Sequence, residues 1–360
     1  MNPRQRVLAA MRREVPDRVP YGLSFTPPMM QAFWEKTGAD NPQEYWHFDA
    51  RSVGFYGPQA GAGYAADFTQ RYYPQGLPPW TTLDEWGVAQ VPGSLYHFTK
   101  MVHPLRQAST VEEIVDYPLP DYTRAECGQH LEGEVVAFHA RDLAVLGALE
   151  MTIFEASWYI RGMENLFSDM LLQPEMAEAL LERITRLRGF QAQAYARADV
   201  DVLDLGDDVG TQRGMLMSPR MWRQWLKPRL ARVIEAARAV KPDTLVWYHS
   251  DGDCRAIIPE LIEIGVDILN PVQPECMDPA EIKAQYGDRL AFSGTLGTQT
   301  TMPYATPEEV RAVVKERIAT VGQGGGLFLA PTHVLEPDVP WENVLAFIEA
   351  AEEYGQYPTG

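Results

Sequence analysis

The sequence predicts a (β/α)8 barrel of the TIM type with an elaborated N-terminal region, and three observations carry that expectation. From about residue 140, short and nearly continuous apolar runs alternate with longer amphipathic segments, the pattern of a parallel sheet covered on both faces. Each run ends on its C-terminal side in chemically capable groups: Glu150; Asp204, Asp207 and Asp208; His249, Asp251 and Asp253; Asn270 and Gln273; Ser293 and Thr295; Thr332 and His333. No GxGxxG follows a run, and GQGGG at 322–326 precedes one, so it reads as a turn and not a phosphate cradle. An open doubly wound sheet gathers its ligands at one switch point, whereas a barrel collects them from nearly every strand at its C-terminal mouth. The second distribution is the one in this chain.

The elements follow in order. The N-terminal residues read as an amphipathic helix ending before Pro16, without the long apolar core of a signal peptide. RVPYGLSF (18–25) is the first strand. FYGPQAGAGYAADF (55–68) and RYYPQGLPPW (71–80) are aromatic and rich in Gly and Pro, and a short hairpin is expected around 86–105. These segments are expected to wall or cover the mouth. The strands then run LAVLGALE (143–150), VDVLDLGDD (200–208), TLVWYHSDGD (244–253), VDILNPVQPE (266–275), RLAFSGTLG (289–297) and GLFLAPTH (326–333). Residues 218–240 form a helix opened by Ser218 and Pro219. Another spans 306–322, with Thr306 as cap, Pro307 at the first position and Glu309 three after the cap. No polar linker divides the chain, so residues 1–360 are expected to form a single domain, irregular over 1–140 and regular over 141–355.

Charge and composition narrow the function. The chain has 31 Lys and Arg against 49 Asp and Glu, a net charge of −18, which argues against a nucleic-acid surface. No run of 18 apolar residues suggests a membrane span. Three cysteines without paired spacing fit a reducing, cytoplasmic setting and offer no thiolate zinc site. A homodimer is compatible with such a chain.

The chemistry concentrates in a few stretches. WYHSDGD closes an apolar strand with His249 and Asp251 two apart, pointing the same way in extended chain. His333 ends the last strand, so a closed barrel would bring it to the same mouth. His249, Asp251 and His333 are therefore the expected ligands of a divalent metal, zinc foremost. Without metal, His249 and His333 are the general acid–base candidates. Asp207 and Asp208 are adjacent and point apart, so one serves any single centre while the other pairs elsewhere, for instance with Arg213. Asp207 is the catalytic candidate of the two. Glu150, Asp208, Asn270, Gln273 and Ser293 are the expected substrate-binding groups.

GDDVGTQRGMLMSPRMW, HSDGD, GVDILNPVQPE, and SGTLGTQTTMPYATPEEV leading to LAPTHVLEPDVPWEN resemble the uroporphyrinogen decarboxylase superfamily. The superfamily includes the decarboxylase and methyltransferases that demethylate methyl-corrinoid proteins. The likeness spans roughly 1–355 and is most specific over the last 160 residues. It implies a barrel fold. The decarboxylase carries an N-terminal RQAGRY-type motif that grips substrate carboxylates. The matching YGLSFTPPMMQAFWEKTG has no arginine, which points away from uroporphyrinogen as substrate. The methyltransferases bind zinc through a HxC pair and a later cysteine, and the matching positions here are His249, Asp251 and His333. The resemblance thus implies a metal-dependent methyltransferase working between a small substrate and a corrinoid protein or folate. A metal-free decarboxylase with His333 or Asp207 as proton donor is the second reading, and a corrinoid- or tetrapyrrole-binding protein the third.

Overall fold

The computed structural model of this chain describes residues 1–58, 64–93 and 99–357. Its centre is a parallel sheet of seven strands in sequential order: β1 (Ala50–Val53), β2 (Ala144–Leu149), β3 (Val202–Gly206), β4 (Leu245–His249), β5 (Ile268–Asn270), β6 (Ala291–Leu296) and β7 (Leu327–Pro331). Residues 18–25 take the eighth place. They lie parallel to β7 through a bridge at Tyr21–Leu329 and to the chain beyond it through one at Phe25–Leu335, with the Gly22 N–H donating to the Leu329 carbonyl at 3.1 Å. Across the remaining seam the contact is between side chains. Tyr21 meets the Phe48 ring edge-on at 5.6 Å, and Arg18 reaches Asp49 at 3.0 Å. The fold is a (β/α)8 barrel.

All six runs read as strands from residue 140 onward are strands. β1 was not foreseen, because ARSV carries no apolar run. The 218–240 segment is two helices, Pro219–Trp225 and Lys227–Arg238, joined at Leu226 just before Pro228. Proline lacks the N–H that would continue the first helix. Thr306 and Glu309 form the reciprocal capping box over Pro307–Thr320.

The N-terminal helix α1 (Pro3–Met11) closes the bottom of the cylinder. Val7 and Met11 pack in one apolar cluster with Ala144, Leu146, Val202, Leu245, Trp247, Ile268 and Ala291, the lower layers of the barrel interior. Asn2 caps the helix, and ion pairs fix its position: Arg4 to Asp201 at 2.8 Å, and Arg6 to Asp17 and Asp49, both at 2.7 Å. The interior is thus filled from below, and a cavity opens at the C-terminal mouth.

The excursion between β1 and β2 contains a three-stranded antiparallel sheet of Thr82–Leu83, Ala89–Val91 and Lys100–Val102. The last two strands are the expected hairpin, with 94–98 outside the described residues. This sheet is anchored on the flank of the barrel. Arg188, on the long helix Pro174–Arg197, stacks its guanidinium over Trp86 at 4.8 Å, and the Tyr73 hydroxyl donates to the Gly87 carbonyl at 2.6 Å. Among the described residues, none from 54–140 lines the mouth cavity. Its walls come instead from residues 22–24 and 43–52, which corrects the expectation for 55–58 and 67–80; residues 59–63 lie outside the described residues. Trp80 and Trp34 face solvent, Trp80 at 89% exposure.

Candidate active site

The mouth holds a cavity of about 310 Å³. Phe48, Trp247 and Phe328 give it aromatic walls, and Glu150, Asp204, His249, Asn270, Ser293 and His333 give it polar groups. The sheet register explains the arrangement. Gly206, His249 and Asn270 are level on β3, β4 and β5, while Ala148, Asp204 and Trp247 are level one step deeper. Inward-facing side chains on neighbouring strands therefore stack in layers.

His249 is held firmly. Its Nδ1–H donates to the Asn270 amide oxygen at 2.6 Å, and the Asn270 amide nitrogen donates to Ser293 Oγ at 3.2 Å. This leaves Nε2 as the free ring atom. It lies 3.5 Å from Asp208 Oδ1 and 3.9 Å from Asp251 Oδ1. A side chain at position 206 would place its Cβ 2.7 Å from the His249 Cβ, so glycine on β3 makes room for the imidazole.

Two loops bring the carboxylates there. Gly210 and Gly252 cross backbone to backbone: a Cβ on Gly252 would sit 2.6 Å from the Gly210 carbonyl carbon, and Gly252 has φ +79°. The Asp253 N–H donates to the Thr211 carbonyl at 2.7 Å, and the Asp251 N–H to Asp208 Oδ1, also at 2.7 Å. The GDDVG and HSDGD motifs are thus two halves of one construction. Ligand atoms of Asp208, His249 and Asp251 all lie within 4.8 Å of one another.

Electrostatics follow from this crowding. Burial alone lowers the His249 pKa, but Asp208, Asp251 and the Asn270 hydrogen bond outweigh it and raise it to about 9. Burial raises the Asp251 carboxyl, and its Oδ1 has no hydrogen-bond partner. Glu155 accepts the Asp208 N–H at 3.1 Å; burial, with Asp208 and Asp207 nearby, pushes it up to about 8. Asp204 is raised well above its ordinary value, first by burial and then by Glu150.

Several expected site residues take other positions. Asp207 is buried and faces away from the cavity. Its carboxylate accepts the Ile153 N–H with both oxygens and the Glu155 N–H with one, all at 3.0 Å, at the start of the helix Phe154–Arg161. It is a helix anchor, and its neighbour Asp208, expected to bind substrate, is outside the cavity lining and lies instead beside His249 and Asp251. Gln273 is also outside the cavity lining; its Oε1 accepts the Gly252 N–H and steadies the turn after β4. His333 lines the cavity but is exposed, and it is not in the set of three ligand atoms that converge. β7 ends at Pro331, Thr332 meets Thr298 at 3.0 Å, and His333 follows on the cavity wall, where its charge still acts on Asp251. Glu150, Asn270 and Ser293 do line the cavity.

Asp204 and Glu155 were missed as site residues. An acid at the same parity as Val202 and Gly206, inside an otherwise apolar strand, was the available signal for Asp204. Glu155 lies beyond its strand, on a helix, where sequence gives no such signal.

The residues fit a divalent cation. One imidazole nitrogen and two carboxylate oxygens converge, and a buried oxygen lacks a partner. A nitrogen and oxygen donor set suits zinc and harder first-row ions. The described part of the chain has no helix long and apolar enough to cross a membrane.

Comparison with known proteins agrees with this architecture. The family model for uroporphyrinogen decarboxylase (URO-D) matches residues 100–354. A methylcobamide:CoM methyltransferase MtaA from Methanosarcina barkeri is 27% identical over 213 residues, 59% of each chain. A uroporphyrinogen decarboxylase from Coxiella burnetii is 25% identical over 187 residues, 51% of this chain and 48% of that one. The matches thus span about half to three fifths of those relatives. A methyltransferase structure from Methanosarcina mazei superposes with a TM-score of 0.68 over 98% of this chain and 99% of that one, at 19% identity, which bears on the fold. By its family match and its barrel, this chain belongs to the uroporphyrinogen decarboxylase family.

Proposed function

We propose that this chain is a divalent-metal-dependent methyltransferase that moves a methyl group between a small substrate in the barrel cavity and a corrinoid carried by a partner protein. The observation that carries the reading is the convergence of Asp208, His249 and Asp251 at the rim of a small, aromatic-walled cavity. These three residues would hold the ion, with zinc the best match to the donors. When bound, such an ion supplies Lewis acidity that lowers the pKa of a thiol, alcohol or water at an open position.

The rest of the work falls to the protein. Asn270, backed by Ser293, fixes the imidazole and presents Nε2 to the rim. Glu155 and the crossed glycine loops hold Asp208 and Asp251 in place. Phe48, Trp247 and Phe328 give the cavity beside His249 its apolar walls. The corrinoid partner is inferred from the likeness to the methylcobamide methyltransferase.

The charge of the cavity argues against decarboxylation of uroporphyrinogen. A substrate with many carboxylates needs cations, and Arg51 is the one Lys or Arg among the lining residues. Its nitrogens already donate to the Glu44 carboxylate and to the carbonyls of Gln43, Phe48 and Ala50. Glu150 and Asp204 line the same space, and a four-pyrrole macrocycle is large for about 310 Å³.

The test is a titration of chelator-stripped protein with Zn²⁺ and Co²⁺ by calorimetry, beside methylcobalamin demethylation followed by its visible spectrum with a thiol acceptor. One equivalent of metal bound and metal-dependent demethylation are expected. Protein that binds no metal, and that leaves methylcobalamin intact at every metal concentration, refutes the reading.

A further inference from the structure

Asp204 stands apart from the rim cluster. It lies on β3 two residues before Gly206, so it sits about 7 Å deeper than the His249 layer at a strand rise of about 3.3 Å per residue. It is level with Ala148 and Trp247. It lines the cavity, is only 8% exposed, and its Oδ1 has no hydrogen-bond partner. No ion pair reaches it among the described residues. An acid left unpartnered at such burial, opening onto a cavity, points to a ligand that completes it.

We propose that Asp204 is a substrate-recognition residue, donating a hydrogen bond from the cavity floor to an oxygen acceptor on a small uncharged substrate. The direction of that bond follows from the surroundings. A buried carboxylate without a counter-charge is strongly disfavoured and takes up a proton instead. The charged groups facing it are Glu150 above β2, which reinforces protonation, and His249 one layer up, which opposes it; the balance lies on the neutral side. A protonated acid offers one O–H, and the aromatic walls of Phe48, Trp247 and Phe328 favour a flat or apolar body around the acceptor. The class implied is an ether, alcohol or carbonyl compound of modest size. The inference rests on the reading of this cavity as the substrate site, but it concerns recognition and not methyl transfer.

Binding of matched probes to metal-free protein tests it. Methoxybenzene and ethylbenzene have nearly the same shape and differ in one oxygen. Wild-type protein is expected to bind methoxybenzene tenfold or more tightly than ethylbenzene, the preference of a site whose donor would otherwise stay unpaired. Asp204→Asn keeps a neutral donor and should hold that preference within about threefold; Asp204→Leu should abolish it. Infrared difference spectra should show a protonated-carboxyl stretch that is lost in Asp204→Asn and shifts when methoxybenzene binds. Equal binding of the two probes to wild type overturns the proposal. So does stronger binding of the trimethylanilinium cation, which marks an anion in the floor, or loss of preference in Asp204→Asn, which shows that a neutral donor at this position does not set the preference. If Asp204→Leu does not fold, the wild-type and Asp204→Asn ratios decide alone. Because no metal or turnover enters the measurement, failed methyl transfer with intact probe preference sinks the proposed function and not this inference.

Discussion

Asp207 and Asp208 are neighbours with opposite duties, and exchanging each in turn separates fold from site. Asp207 accepts two N–H groups, those of Ile153 and Glu155, at a buried helix start. Asp207→Ala leaves both donors unpaired. Each buried unsatisfied donor costs about 1–3 kcal/mol, so the pair amounts to about 2–6 kcal/mol. A domain is typically stable by only about 5–15 kcal/mol. At about 2 °C per kcal/mol for a large domain, Tm should fall by about 4–12 °C. Asp208 has a side chain 41% exposed and accepts a single N–H, from Asp251. Asp208→Asn keeps one acceptor oxygen, so its Tm should stay within about 2 °C of wild type, as befits a loss below about 1 kcal/mol. Its zinc affinity should drop at least 100-fold, more than the 10–100-fold usual for outer partners of a metal site. Differential scanning fluorimetry of the stripped proteins gives Tm, and calorimetric zinc titration gives affinity. The reasoning is refuted if Asp207→Ala melts with wild type, or if Asp208→Asn binds zinc as wild type does.

The remaining expectations test the other parts of the site. His249→Ala should abolish stoichiometric metal binding with the far-ultraviolet circular dichroism unchanged. His333→Ala should still take up one equivalent, because His333 lies outside the converging trio; loss of uptake would place it in the site. Asn270→Leu removes the acceptor of the His249 Nδ1–H and should weaken zinc binding about 10–100-fold, read by competition with a chromogenic chelator. On the flank, the Arg232 hydrogen bond lowers Glu182 from its ordinary 4.5 to about 2. A depressed carboxyl stabilises the fold above pH 4.5, and that contribution is lost as pH falls towards 2. Since Arg232 is half exposed, solvent screening limits the effect to about 1 kcal/mol. Urea melts at pH 7 and pH 3 should therefore show a larger difference for wild type than for Glu182→Gln.

The fold was legible where strands are buried on both faces. Such strands read as apolar runs, and the six from β2 to β7 do. β1 escaped because its four residues include Arg51, whose guanidinium turns back to Glu44 and to local carbonyls. The 18–25 segment was legible as a strand, yet it touches its neighbour β7 through an isolated bridge and meets the β1 side through rings and an ion pair. Hydrophobic periodicity shows which residues face inward; it is silent on how a seam is closed.

The site was legible to the level of strand ends and no further, for a geometric reason. His249 could be placed because it ends a strand, and strand ends in a barrel share one rim. Its partners depend on loops, and loop direction is set by contacts distant in sequence. Gly210 against Gly252 brings the loops of Asp208 and Asp251 together, while His333 lines the cavity without joining the three converging ligand atoms. The same logic separates Asp207 from Asp208. Adjacent side chains point apart, so one had to be structural, but only the position of the Ile153 and Glu155 amides decides which. The proposed metal ligands of this chain are therefore set by how two loops cross. Replacing Gly252, whose φ of +79° and backbone contact exclude a side chain, should scatter Asp251 from His249 and lower zinc affinity at least tenfold, although it changes no ligand. A Gly252→Ala protein that is folded by circular dichroism and binds zinc as wild type does would show that the ligands find one another without that crossing.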